Sequence, residues 1–158
     1  MTQDRTAAWM ADLHRAGFAV PPPWSKAAFA DLLARPDTLL EAAETGFALL
    51  RVTLDESELL TITTAPEARG QGVATALLAR LLDRAARAGA RSCFLEVAAD
   101  NAAACRLYDR FGFRQVGLRP RYYRMPDGTA CDARVMACDL PMRRTTAQRR
   151  EPAAPESY

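Results

Sequence analysis

Lysine is nearly missing from this chain: Lys26 is the single lysine among 21 basic residues, and the other twenty are arginine. Together with 32 alanines this reads as the codon bias of a GC-rich genome, so the arginine excess carries little functional weight. Histidine is present once, as His14 in a departing N-terminal segment, with no recognisable nucleophile motif nearby, which argues against a Cys-His enzyme. Cysteines 93, 105, 131 and 138 never fall as CxxC; in apolar stretches, free thiols pack as small hydrophobes, so zinc and redox motifs are absent. No apolar run approaches the ~18 residues of a transmembrane helix. The first residues carry an acid early and lack an unbroken apolar core, so they do not read as a secretory signal, and a cytoplasmic setting is expected. A net charge of +2 is too small for a dedicated nucleic-acid binder.

What remains is a soluble globular composition, with 49% hydrophobic and 25% charged residues in 158. That length suits one domain, here residues 1–140, expected as a monomer or weak dimer. From Arg143 the sequence RRTTAQRREPAAPESY lacks periodicity, so 141–158 reads as a solvated tail. Its arginines, Arg143, Arg144, Arg149 and Arg150, are read as solvating rather than as a contact to ribosomal RNA.

Along the chain, Thr6 to Arg15 predicts a short helix ending at Gly17, and Ser25 caps a second one before Pro36. Thr38 to Ala43 and Phe47 to Leu54 read as strands about Gly46. Asp55-Glu56-Ser57 reads as a turn into a third strand, Glu58 to Thr64, rich in β-branched residues. From Gly72 to Ala88, Val73, Leu77, Leu78, Leu81, Leu82 and Ala85 repeat at helical spacing. Ser92 to Ala98 is a continuous apolar run, the signature of a strand covered on both faces. Strand, loop, helix and strand make a right-handed βαβ unit with parallel strands. Asn101 caps a further helix to Phe111, and Met125-Pro126-Asp127-Gly128 turns an antiparallel hairpin between Phe113–Tyr123 and Cys131–Leu140. The sheet is therefore mixed.

Three places carry chemistry. In Arg69-Gly70-Gln71-Gly72-Val73-Ala74, small residues let backbone amides converge at a helix N-terminus, which suits a pyrophosphate and equally suits a plain tight turn. Glu96 interrupts an apolar strand, where a carboxylate is costly unless it faces water, a partner or a cleft. A base in a cleft and a carboxylate paired with arginine at a sheet opening both fit. Tyr108 lies on the helix stripe of Ala104, Cys105 and Phe111, where core packing alone accounts for it. Cys105, on the same helix, has no activating base near it and reads as packing.

Arg69-x-x-Gly72-x-Ala74 followed by an apolar helix resembles the acetyl-CoA signature of the Gcn5-related N-acetyltransferase (GNAT) superfamily. Phe94-Leu95-Glu96-Val97, Asn101-Ala102-Ala103-Ala104 and Leu107-Tyr108-Asp109-Arg110-Phe111-Gly112-Phe113 are similar, in order and spacing, to the RimI type of ribosomal-protein-alanine N-acetyltransferases. Pro23-Trp24-Ser25, Glu58 to Ile62, Arg121-Tyr122-Tyr123 and Asp132-Ala133 fit as well, so that the likeness spans about residues 23 to 140. It implies an α/β (α+β) fold: a mixed, mostly antiparallel sheet, a central parallel βαβ unit and helices on both faces. It also implies that acetyl-CoA lies where the strand ending at Thr64 splays from that of Glu96, bound by the backbone of Ile62, Thr63 and Thr64, the amides of Arg69, Gly70, Gln71, Gly72, Val73 and Ala74, and Asn101 near the thioester. Glu96 is then the base, Tyr108 the acid, and Glu58, Tyr122 and Tyr123 the acceptor-binding residues, with Glu56 better read as a solvated turn acid. No metal is involved. Members of the family usually open with a β-strand, whereas this chain starts in a helix, so one sheet-edge strand is expected to be missing.

The reading is direct acetylation of a protein N-terminal α-amine, that of alanine in a small-subunit ribosomal protein. The alternatives are a small-molecule amine or lysine as acceptor, or a non-catalytic acetyl-CoA sensor; neither a membrane nor a dedicated nucleic-acid partner is expected.

Overall fold

In the computed structural model, which describes residues 3–18 and 22–142, one helix decides how the sheet is covered. α3 (Val73–Arg87) buries Leu77, Leu78, Leu81, Leu82 and Ala85 completely, while its outer face keeps the arginines. Two of these arginines reach the edge strand β1 (Thr38–Ala43): Arg80 Nε lies 3.1 Å and Arg84 Nη1 2.8 Å from the Glu41 carboxylate. Arg84 also donates to the Leu40 carbonyl at 2.6 Å, so the edge keeps fewer free backbone groups for pairing.

The remaining elements are α1 (Gln3–Gly17), α2 (Lys26–Leu33), β2 (Gly46–Thr53), β3 (Glu56–Thr64), β4 (Ser92–Ala98), α4 (Ala102–Arg110), β5 (Arg114–Arg124) and β6 (Ala130–Asp139). Six strands run in the order β1-β2-β3-β4-β6-β5, with β3 and β4 the parallel pair. α3 and α4 pack on one face, and α1 and α2 pack on the other over β1 to β3. No helix among the described residues is long and apolar enough to cross a membrane.

Three expectations need correction. β4 is not covered on both faces: Cys93, Leu95 and Val97 join the core with α3 and α4, whereas Ser92, Phe94, Glu96 and Ala98 are only half-buried. The cause is that α1 and α2 stop at β3. The turn after β2 is Leu54-Asp55 rather than Asp55-Glu56-Ser57, because Leu54 adopts a positive φ of 56° and Ser57 is drawn into β3, where its hydroxyl donates to the Ser92 carbonyl at 2.8 Å. His14 does not sit in a departing segment. Its buried ring stacks on Phe18 at 4.4 Å and meets Trp24, Phe29 and Phe47.

The His14 Nδ1 accepts the Trp24 backbone N–H at 3.0 Å, which leaves the ring proton on Nε2 to donate to Thr61 Oγ1 at 3.2 Å. That neutral, fully bonded ring ties α1 and the approach to α2 onto β3. Burial lowers its pKa from 6.5 to about 4. The unfolded chain therefore takes a proton that the folded chain refuses. Stability from this ring is complete above about pH 6.5 and is lost as pH falls towards 4, a loss of roughly 3 kcal/mol at 1.36 kcal/mol per pH unit. Urea unfolding across this interval is expected to show wild type losing stability relative to His14→Gln; parallel curves would exclude the assignment.

Candidate active site

The site begins where pairing stops. β3 and β4 share register only at Glu56↔Ser92, Ser57↔Cys93 and Glu58↔Phe94. Leu49 pairs with Thr61 and Leu50 with Leu59, so Leu60 is an extra residue that bends β3 away from β4. Beyond that point the β4-facing backbone groups of Ile62 to Thr64 have no strand neighbour, although β2 still holds the other side of β3. The hydroxyls of Thr63 and Thr64 are buried without a hydrogen-bond partner.

A cleft of about 1060 Å³ opens from this gap, lined by Ile62, Thr63, Thr64, Arg69, Gly70, Gly72, Val73, Ala74 and Asn101, with Gly17 and Phe18 at the end of α1. Every residue expected to hold the cofactor is there except Gln71, whose side chain turns back to donate to the Glu67 carbonyl at 3.3 Å. Gly70 and Gly72 have φ of 75° and 79°, a left-handed backbone that a side chain would strain, and nothing lies within 4 Å of where a Cβ would stand. Gly72 caps α3 without a side-chain bond, and the first helical bond joins the Ala76 N–H to Gly72. The amides of Val73, Ala74 and Thr75 are thus left for an anion, and the first turn carries no acid to compete. Arg106 and Arg110, one turn apart on α4, add positive charge that the sequence reading passed over. Their i, i+4 spacing was the available signal. Asn101 itself caps α4, accepting the Ala104 N–H at 3.2 Å.

The alternation of β4 sends Glu96 to the face opposite Leu95 and Val97, towards the side on which α1 and α2 lie. There Arg119 Nε holds Glu96 Oε1 at 2.8 Å, and Glu96 stands on β4 past the last residue paired with β3, though it is not among the cleft-lining residues. Tyr108, on α4, sits in the core beside Phe113 at 5.7 Å, and among the described residues its hydroxyl makes no hydrogen bond. Burial, with smaller effects from Cys105, Cys93 and Tyr123, pushes its phenol well above the ordinary value of 10, so it stays protonated. Tyr108 is not among the cleft-lining residues; it approaches from beneath the sheet.

Tyr122 and Tyr123 follow a bulge in β5. Arg119 pairs with Ala133 and Tyr123 with Cys131, so the intervening stretch is longer on β5 than on β6. The excess folds at Arg121, whose φ is 54° and whose N–H donates to Asp132 Oδ1 at 2.8 Å. The Asp132 carbonyl also accepts the Ala99 N–H at 2.8 Å, fastening the bulge to the end of β4. Tyr122 and Tyr123 meet edge to face at 5.1 Å, and burial followed by the Glu96 carboxylate raises the Tyr123 phenol. Glu58 shares the register of Phe94 but is bonded to Arg51 at 2.9 Å, away from the tyrosines. Tyr123 is within electrostatic reach of Glu96 on one side and of Tyr108 on the other, while Glu58 is left at the closed end of the gap.

Cys93, Cys105 and Cys138 are buried and offer no nucleophile. Cys93 and Cys138 are cross-strand neighbours whose thiols burial pushes up to about 11 and about 12, and Cys105 is buried in the core.

Comparison with known proteins agrees with this geometry. The model of the Acetyltransferase (GNAT) family matches residues 6–113. The [ribosomal protein bS18]-alanine N-acetyltransferase of Escherichia coli is 36% identical over 124 residues, 76% of this chain and 83% of that one. The N-alpha-acetyltransferase RimI of Mycobacterium tuberculosis is 39% identical over 129 residues, 76% of this chain and 80% of that one. The crystal structure of the ribosomal-protein-S18-alanine N-acetyltransferase from E. coli superposes with a TM-score of 0.78 at 33% identity, covering 94% of this chain and 95% of that one. A splayed parallel pair, a glycine loop opening α3 and a matching sequence over most of its length make this chain a member of the GNAT acetyltransferase family.

Proposed function

We propose that residues 1–140 form one acetyltransferase domain that moves an acetyl group from acetyl-CoA directly to a protein N-terminal α-amine, that of an N-terminal alanine in a small-subunit ribosomal protein, in the cytoplasm. The observation that carries this is the gap between β3 and β4, with an anion-binding helix start at one end and the Glu96 carboxylate at its border. The named functions of the relatives supply the acceptor.

The residues fit acetyl-CoA. The unpaired backbone of Ile62 to Thr64 and the orphaned Thr63 and Thr64 hydroxyls match the amides and carbonyls of a pantetheine arm. The loop Arg69 to Ala74 offers converging amides to the pyrophosphate, with Arg106 and Arg110 beside it. When bound, the group supplies an activated thioester. Glu96 takes the proton of the incoming amine, directly or through a water; an α-amine with an ordinary pKa of about 7.7–8.0 asks little of a base. The Tyr108 hydroxyl, kept protonated by burial, holds the proton that the departing sulfur takes up. Tyr122 and Tyr123 line the acceptor peptide, and Glu58 lies further along the same face to meet its amine end or a neighbouring positive charge.

Incubating the protein with acetyl-CoA and a short peptide beginning with alanine is expected to release free thiol and add one acetyl group to the α-amine. Acetylation of lysine or small amines in preference to the peptide would move the assignment to those acceptors. Glu96→Gln and Tyr108→Phe are each expected to lower kcat by about 10²–10⁴-fold while acetyl-CoA still binds. A sensor without turnover would show no such loss.

Gly72→Val tests the loop separately. The left-handed backbone costs a side chain roughly 1–2 kcal/mol, which lowers the thermal unfolding temperature by a few degrees or is relieved by a shift of the loop, and the shifted loop is expected to bind acetyl-CoA about tenfold or more weakly. Unchanged affinity by calorimetric titration would remove the loop from the cofactor site.

A further inference from the structure

The Glu96 carboxylate does not face the acceptor alone. Arg119 Nε holds Oε1 at 2.8 Å, and the same guanidinium lies over the Tyr122 ring with Cζ 5.3 Å from its centroid. Arg119 pairs with Ala133 of β6, immediately before the β5 bulge that Asp132 pins through the Arg121 N–H. With side chains 55% and 27% exposed, the Arg119–Glu96 pair is screened by water, so the fold gains little from it. Its effect on charge at the site is larger. A lone carboxylate within ~4–6 Å of an arriving ammonium favours the charged form of that group, and an ammonium is not a nucleophile.

We propose that Arg119 is a positioning residue for the reaction: its charge cancels that of Glu96 as the acceptor sees it, and its Nε–H occupies Oε1 so that Oε2 is presented to the amine. The inference rests on the reading of Glu96 as base. The acceptor then meets a Glu96 whose charge is balanced and is not trapped as an ion pair with it. The other groups on this side leave that balance intact. Glu58 on β3 is compensated by Arg51 on β2, and the Asp132 carboxylate on β6 accepts the Arg121 N–H, keeping a charge that substitutions at Arg119 leave unchanged. Tyr122 and Tyr123 on β5 and Tyr108 on α4 are phenols. His14 on α1 is neutral and taken up by Trp24 and Thr61.

The test is steady-state acetyl transfer to an alanine-starting peptide from about pH 6 to about pH 9, using the full chain, for wild type, Arg119→Gln, Arg119→Lys and Glu96→Gln. Arg119→Gln is expected to lower kcat about tenfold near neutral pH, shift the acid limb of kcat up by about one pH unit, recover at high pH, and leave peptide KM unchanged or lower. Arg119→Lys restores the limb. Glu96→Gln is expected to be inactive throughout. If Glu96→Gln is inactive but Arg119→Gln loses activity equally at every pH, raises KM or changes nothing, the inference about Arg119 fails and Glu96 stands. If Glu96→Gln keeps wild-type kcat, the reading of Glu96 fails and takes this inference with it.

Discussion

Beyond Glu58 and Phe94 the backbones of β3 and β4 part, while β2 keeps its hold on β3 and β6 its hold on β4. Opening a sheet at its centre leaves peptide groups without partners, a cost that a folded chain bears only where something else meets those groups. Here the opening is maintained from outside. Leu60 adds one residue to β3 and swings its end away, and α3, starting at Gly72 and packed by four leucines beneath the sheet, carries the chain across to β4. The proposed cofactor site is therefore the unsatisfied part of the sheet, completed by a helix N-terminus that is equally unsatisfied.

The two faces divide the remaining work. On the side of α3 and α4 the core is apolar and holds Tyr108, whose phenol burial keeps neutral. On the other side α1 and α2 reach only as far as β3, and the exposed half of β4 carries Glu96 out to meet β5. The incomplete cover that contradicts the apolar look of Ser92 to Ala98 leaves the room that the proposed function gives to the acceptor. Arg119 pairs with Ala133 beside it, and the extra residues at Arg121 separate Arg119 from Tyr123.

Much of this was legible in the sequence. The helical spacing of Leu77, Leu78, Leu81 and Leu82, the glycines at 70 and 72, the Ser25 and Asn101 caps and the Met125–Gly128 turn are local signals, and local physics sets them. Glu96 was conspicuous as a charge in an apolar strand, and pairing with an arginine stood as the alternative to a base in a cleft, with no residue named for it. Arg119 pairs with it only through the register of β5 against β6 and of β6 against β4, including a bulge that no local pattern announces. The aromatic nest of His14 joins α1, α2 and β2, and the extra residue at Leu60 exists only relative to β2. Such features belong to pairing and packing between distant segments, which single-strand periodicity does not encode.

The central claim is that the unpaired end of β3 and the start of α3 are one binding site. Amide hydrogen exchange with and without saturating acetyl-CoA tests it most directly. The account predicts new protection at the amides of Ile62 to Thr64 and Gly70 to Thr75, with the distant β5–β6 turn at Met125 to Gly128 unchanged. Saturation that leaves those amides exchanging as before, or that protects a different surface, would contradict it.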